Sequence, residues 1–178
     1  MLSMNQLYPI FLKTENLQFL IVGGGNVALE KLEFLLKSSP NAQITMVAPF
    51  YREATLNFVA NKVNIHLIHR RFNSYFLGGK HIVIATTDDP VVNQKIHYFC
   101  KKKRILVNVA DTPDLCDFYM GGIVTKGNLK IGISTNGKSP TLAKRIRQFL
   151  EELLPEEIND LLDSCLLYTS DAADDSLR

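Results

Sequence analysis

The chain of 178 residues holds only three cysteines, Cys100, Cys116 and Cys165, and no C-x-x-C pair. An odd, scattered set argues against a disulfide framework and for reduced thiols, hence a cytoplasmic protein. No apolar run approaches the ~18 residues of a membrane span, so no membrane partner is expected. No signal peptide is visible, because the first residues lead into a Pro-containing segment and then a strand. The formal net charge is only +2, too small to argue for a nucleic-acid partner. His66 and His69 lie three apart in an expected strand and so point to opposite faces. His81 and His97 are isolated, and no metal site is expected.

Acidic residues are missing from one long stretch. From Phe118 to Leu150 there is none, while Lys126, Lys130, Lys138, Lys144, Arg145 and Arg147 all fall there. Such an imbalance points to an anionic ligand, the alternative being a solvated basic helix face. A second basic run, Lys101 to Arg104, reads as a helix C-terminus favoured by the helix dipole.

What is present is most telling at residues 16–30. Leu17 and Phe19 to Val22 form an apolar β-type run. Gly23, Gly24, Gly25, Asn26, Val27 and Ala28 follow, and Leu29 to Leu36 then carries apolar residues at helical spacing. This is G-x-G-x-x-A between a strand and a helix, the context in which the pattern marks a dinucleotide site. Gly23 permits the turn, Gly25 lets the backbone approach a pyrophosphate, and Ala28 keeps helix and strand close. The free N–H groups at the helix start face the phosphates. The alternative is a plain tight turn.

Further strands are expected at Ile44–Val47, Ile65–Ile68, Ile82–Ala85 and Ile105–Val109. Helices are expected at 27–38, Arg52–Asn61 and Pro90–Lys102, and an edge strand or arm over 7–15. The β-α-β alternation predicts an α/β fold, a Rossmann-like parallel sheet whose ligands lie beyond the strands' carboxyl ends. Gly23–Ala28, Ala48–Phe50, Thr86–Asp88 and Ala110–Asp111 all fall there. Then the pattern changes. Gly121–Thr125 and Leu129–Thr135 read as a hairpin joined by Lys126-Gly127-Asn128. Ser139 suits an N-cap and Pro140 a first helical position. Thr141–Leu154 reads as an amphipathic helix, with a short one at Glu156–Leu162. Too small to bury its own core, this region calls for a second copy, and a homodimer is expected. The divisions are 1–112 as an NAD-binding Rossmann-like domain, 113–163 as a truncated dimerisation hairpin and helical region, and 164–178 as a non-native tail resembling translated vector sequence. By this reading the native C-terminus is missing.

Gly132 to Ser139 matches G-x-x-x-x-G-K-S, the P-loop pattern. Its lateness, its hairpin context and the lack of a following hydrophobic run ending in Asp count against a nucleotide triphosphatase. The same residues still form a helix N-terminus beside Lys138, which suits carboxylates. Asp111, past the fifth strand, is placed to act as a general base, or else caps a turn. Asp88 and Asp89 sit where a helix cap is needed. Where many NAD-binding folds carry an acid after strand two, this chain has Val47-Ala48-Pro49-Phe50, with Arg52 close by. The residues alone leave NAD and NADP open.

Tyr8-Pro9-Ile10-Phe11, Val22 to Ala28, Ala85-Thr86-Thr87-Asp88-Asp89 with Val92-Asn93, Asn108-Val109-Ala110-Asp111 and Ser134 to Pro140 together resemble the precorrin-2 dehydrogenase, or siroheme synthase N-terminal, family over residues 5 to about 160. The resemblance implies NAD-dependent oxidation of precorrin-2 to sirohydrochlorin, in some members also Fe²⁺ insertion, and a dimer built through the hairpin region. It matches the family's essential aspartate to Asp111 and its nucleotide contacts to Asn26, Val27, Pro49 and Phe50. The expected cofactor site is thus Gly23, Gly25, Asn26, Val27, Pro49, Phe50, Thr86, Thr87 and Asp88. The expected substrate site is Asn108, Ser134, Thr135, Gly137 and Lys138. At one position this chain departs from the family: a serine that is phosphorylated in some relatives is replaced by Thr135, so that regulation is not implied here. The rival reading is an NAD-sensing regulatory module, which explains the glycine turn but not Asp111 or the basic segment.

Overall fold

The computed structural model describes residues 5–160 and residue 164. The chain divides into two compact units, Phe11–Tyr119 and the described residues on either side of it.

The first unit is built on five strands, β1 (Gln18–Val22), β2 (Gln43–Ala48), β3 (Ile65–His69), β4 (Ile82–Ala85) and β5 (Leu106–Val109). All neighbours are parallel, in the order β3-β2-β1-β4-β5. The helices between them are α1 (Asn26–Ser38), α2 (Glu53–Val59) and α3 (Pro90–Lys103), and a 3₁₀ turn, Ser74–Leu77, stands between β3 and β4. This is the expected Rossmann-like sheet. From β1 the chain winds outward to β3 and then returns to the other side of β1, so the order reverses between β1 and β4. Ligands of open α/β sheets bind at such a switch point.

The middle strands are apolar throughout because both faces are covered. Leu20 and Ile21 are fully buried, as are Val83 and Met46. One face packs Leu20, Val22, Val47, Val83 and Val107 with Leu77, Ile96 and Cys100. Tyr51 anchors the far side: its buried hydroxyl lies 2.7 Å from the Met46 carbonyl and 3.0 Å from that of Ile68. Its ring meets His69 edge-on.

The second unit holds an antiparallel hairpin, β6 (Gly122–Lys126) and β7 (Leu129–Ile133), followed by α4 (Pro140–Leu153). Lys126 pairs with Leu129, so the turn is Gly127-Asn128 alone, one residue shorter than expected, with Gly127 at φ +51°. Asn159 reaches back to accept from the Asn128 N–H at 2.9 Å. Ser139 caps α4 as expected, its hydroxyl accepting from Leu142 N–H at 3.2 Å, with Pro140 next. Residues 158–160 are helical. The remainder of the expected 156–162 helix, and the tail beyond Ser164, lie outside the described residues.

Two expectations change. Residues 7–13 form no strand, which leaves the arm of the two alternatives; among the described residues the one regular element before β1 is a 3₁₀ turn at Thr14–Asn16. Tyr8, Ile10 and Phe11 there are exposed, and among the described residues no strand neighbours them. The helix expected at Arg52–Asn61 is shorter at both ends: Arg52, extended, serves as its N-cap, and Ala60 as its C-cap. Among the described residues, no helix is long and apolar enough to cross a membrane.

Burial sets a pH limit on the first unit. Desolvation by burial pushes the Tyr51 phenol from 10.0 up to about 12. Desolvation, then the charge of Asp117, pushes the Cys100 thiol from 9.0 up to about 12. Both groups are neutral when protonated, and the unfolded chain deprotonates first. Their contribution to stability is whole below pH 9 and disappears as pH rises toward 12. Urea midpoints should therefore fall across this window, and the fall should flatten in the Tyr51→Phe, Cys100→Ala double variant.

Candidate active site

The carboxyl ends of β1, β2, β4 and β5 meet at one edge of the first unit. Gly23 leaves β1 at φ +135°, and a Cβ there would overlap the Thr86 hydroxyl. Thr86 is buried and ties β4 to β1, donating to the Val22 carbonyl from both its N–H (2.8 Å) and its hydroxyl (2.9 Å). At Gly24 a Cβ would overlap the Phe50 carbonyl oxygen and lie 3.0 Å from the Ala48 Cβ. The Arg52 N–H donates to the Gly24 carbonyl at 3.0 Å. Gly24 thus admits the loop after β2. Motif reading passed over it, because the close approach arises only once β2 lies beside β1.

Gly25 differs. Its φ of −88° suits any residue, and a Cβ there would meet nothing within 4 Å. Nothing in the fold calls for glycine at this point. Gly25 is the N-cap of α1, offers no side-chain cap, and no acid follows in the first turn. The helix's first N–H groups have no intrahelical partner, and Asn26 at its start is exposed, Val27 half-buried. Space, orphan donors and the positive helix end together suit a pyrophosphate. Ala28, fully buried, keeps α1 on the sheet as expected.

Pro49 and Phe50 stand at the end of β2, exposed, with 68% of Phe50 open to solvent. After β4, Thr87 and Asn93 hold each other: the Thr87 hydroxyl and the Asn93 carboxamide oxygen are 2.7 Å apart, and Asn93 Nδ2 donates to the Thr87 carbonyl at 2.9 Å. Asp89 caps α3, accepting from Val91 and Val92 N–H groups at 2.8 and 3.2 Å. Asp88 takes no part in the cap and is exposed. Of the two candidate caps, only Asp89 serves. Thr86 has a burial and bonding pattern of scaffold rather than of ligand contact.

Past β5, the Ala110 N–H donates to the Ala85 carbonyl at 2.9 Å, and Asp111 follows at φ +57°. Asp111 is exposed, and among the described residues its side chain makes no hydrogen bond. The capping alternative fails here, since the next 3₁₀ turn, Pro113–Leu115, takes Thr112 as its N-cap. Asn108, expected to touch substrate, is buried, and its Nδ2 donates to the Phe118 carbonyl at 2.8 Å. Its carboxamide braces the segment that follows β5.

In the second unit, the turn before α4 has Asn136 at φ +54° and Gly137 at φ +74°. The Ser134 hydroxyl accepts from Asn136 N–H at 3.2 Å, and the Thr135 hydroxyl donates to the Ser139 carbonyl at 3.1 Å. Lys138 is exposed. The strand before this turn, β7, belongs to a two-stranded antiparallel hairpin. A P-loop sits behind a buried parallel strand, so that pattern match is accidental, as the sequence context had suggested. Among the described residues no group of three His, Cys, Asp or Glu could hold a metal ion, and Cys100 and Cys116 are free.

A family model described as putative NAD(P)-binding matches residues 10–122. The chain belongs to that NAD(P)-binding family. The cofactor class is a nicotinamide dinucleotide, and the open cradle at Gly25 fits it. A second model, described as sirohaem biosynthesis protein central, matches residues 126–153. Siroheme synthase of Psychrobacter sp. (strain PRwf-1) is 42% identical over 149 residues, 84% of this chain and 30% of that protein. Siroheme synthase of Methylococcus capsulatus is 38% identical over 153 residues, 86% of this chain and 32% of that protein. The chain thus spans about a third of the length of these curated relatives. Among solved structures, SirC, described as precorrin-2 dehydrogenase, superposes with a TM-score of 0.70 at 27% identity, covering 88% of this chain and 76% of that one. The resemblance drawn from the motifs holds over both units.

The glycine run separates fold from ligand. Gly24→Ala should lower the urea midpoint, because backbone must move to admit a methyl group. Gly25→Ala should leave it unchanged. Gly25→Asp should also fold but bind NAD⁺ far more weakly, by calorimetry, since its side chain and charge enter the pyrophosphate's space. Unchanged affinity in folded Gly25→Asp would place the cofactor elsewhere.

Proposed function

We propose that this chain oxidises precorrin-2 to sirohydrochlorin with NAD⁺, as the SirC likeness and the siroheme synthase relatives suggest. The observation that carries the reading is the pairing, on one sheet edge, of the open Gly25 cradle with the free carboxylate of Asp111. NAD is chosen over NADP on the family resemblance. Phe50 offers a ring face at the end of β2, where a carboxylate would otherwise meet the ribose. Asn26, Val27, Pro49, Thr87 and Asp88 complete the expected cofactor surroundings.

The bound nicotinamide supplies the hydride acceptor. The substrate loses two hydrogens, one as hydride and one as a proton. Asp111 takes the proton. Its carboxylate is exposed and engaged by no neighbour among the described residues, so both oxygens are available to a substrate C–H or N–H. The second unit has a turn of its own, carrying Ser134, Thr135, Gly137 and the exposed Lys138, whose hydroxyls and positive charge suit carboxylates, in keeping with the acid-free stretch around it. Fe²⁺ would enter as a substrate, held by the product's own nitrogens.

Asp111→Ala should preserve fold and NAD⁺ affinity yet lower kcat by about 10²–10⁴-fold, the usual contribution of a positioned base. Incubation with precorrin-2 and NAD⁺, following the sirohydrochlorin spectrum, measures it. Near wild-type turnover would remove Asp111 from the mechanism. NAD⁺ binding by the wild-type chain with no oxidation would favour a sensor. Loss of iron insertion alone would move Asp111 to chelation.

The homodimer belongs to the same proposal. No residue of α4 is buried, although Leu142, Ile146, Phe149 and Leu153 recur at helical spacing on one face, with Phe149 61% exposed. A second copy would cover this stripe. Phe149→Glu should shift the sedimentation coefficient from dimer to monomer, and an unchanged dimer would locate the contact elsewhere.

A further inference from the structure

Asp111 occupies a left-handed backbone conformation that a non-glycine residue adopts at a cost. Its own side chain does nothing to hold it there. Beside the local bond of the Thr112 hydroxyl to the Ala110 carbonyl at 3.3 Å, a further hold comes from five residues along the chain. The Cys116 sulfur accepts from the Val109 N–H at 3.2 Å, and lies 3.2 Å from the Val109 carbonyl and 3.4 Å from the Thr112 carbonyl, to either of which the thiol can donate. Asn108 Nδ2 approaches it from behind at 3.4 Å. One thiol thus joins both ends of the turn on which Asp111 is the apex. The Thr112 N–H closes the same turn on the Val109 carbonyl at 3.2 Å.

Cys116 is itself fixed by a strap along the sheet edge. The Asp117 N–H donates to the Val107 carbonyl at 2.7 Å, the Val107 N–H returns to Asp117 Oδ2 at 3.1 Å, and Asp117 pairs with Lys101. Asn108 adds its bond to the Phe118 carbonyl. Residues 116–118 therefore lie against β5 as a short extra rung, and the sulfur's position is set by the sheet. Desolvation raises the thiol's pKa above its ordinary 9.0, partly offset by the hydrogen bond to Val109. Near neutral pH the group keeps its proton and can donate.

We propose that Cys116, braced by Asn108, is a positioning residue: its thiol holds the Val109–Thr112 turn so that the Asp111 carboxylate points at the reacting atoms, without itself touching substrate or cofactor. The inference rests on the reading of Asp111 as proton acceptor.

The test compares Cys116→Ser, Cys116→Ala and Cys116→Val in the full chain. Serine keeps a donor and an acceptor, alanine removes both, and valine fills the volume without either. Alanine and valine should lower kcat about ten- to hundredfold, the scale of a misplaced catalytic group, while NAD⁺ affinity stays at the wild-type value. Serine should restore most of the rate. In the protein without substrate, the Asp111 amide resonance should move and exchange faster in the alanine and valine variants but not in serine. Added to Asp111→Ala, Cys116→Ala should cost nothing further, because the two act as one unit. Wild-type kcat in both alanine and valine variants, equal damage in serine, or an additive loss in the double variant would overturn the proposal. Should the alanine variant fail to fold, the valine variant decides. Turnover surviving Asp111→Ala would instead overturn the role of Asp111. Intact turnover in Cys116→Ala beside an inactive Asp111→Ala would overturn only the role of the thiol.

Discussion

Three backbone segments meet at the carboxyl end of β1, and they can do so only because Gly23 and Gly24 have no side chains. Gly23 lets β4 draw in through Thr86, whose hydroxyl and N–H both end on the Val22 carbonyl. Gly24 lets the loop after β2 draw in until Arg52 bonds to it. With both neighbours seated, α1 starts at a set height above the sheet, and Ala28 lies flat against it. The cradle at Gly25 is what remains open after this packing. It is a by-product of the two contacts beside it, and its shape would change if either were lost.

The polar groups around this edge sort into two kinds by burial. Thr86, Asn93 and Asn108 are buried, and each is hydrogen-bonded to backbone, as most buried polar groups are. They hold turns in place. Asp88 and Asp111 are exposed, and among the described residues their side chains hold nothing in place. A carboxylate used for chemistry must be free to meet another molecule, so its place has to be set by others. At Asp111 the setting is done through the backbone, by the segment strapped to β5. A sheet edge normally presents unpaired N–H and C=O groups. Here Asp117 meets those of Val107, and this same contact delivers Cys116 to the turn.

α4 presents the opposite situation. It is strongly amphipathic, yet none of its residues is buried. Its ion pair, Arg147 with Glu151 at 2.6 Å, is one turn apart along the helix and contributes little by itself. The apolar stripe leaves exposed surface whose burial would be favourable, and the proposed dimer rests on that stripe.

Strands were legible in the chain as short apolar runs bounded by turn residues, and helices from apolar residues recurring about every 3.6 positions. The parallel runs at Ile82–Ala85 and Phe19–Val22 are apolar for a reason that local chemistry expresses directly, burial on both faces. The cap at Ser139, with Pro140 following, is equally local. So is the glycine turn, since strand, G-x-G-x-x-A and helix lie within fifteen residues. Between Asp88 and Asp89, by contrast, composition could not choose; the backbone's direction into α3 did. Nor could sequence distinguish Thr86 and Asn108 as scaffold from Asp111 as free carboxylate, because the groups that engage them lie 64 and 10 residues away. The need for glycine at 24 rather than 25 depends on which strand neighbours β1. The clasp of Cys116 on Asp111 depends on a strap folding back along β5. Periodicity and turn chemistry determined the elements; contacts between segments distant in the chain decided which polar groups are held and which are left free to act.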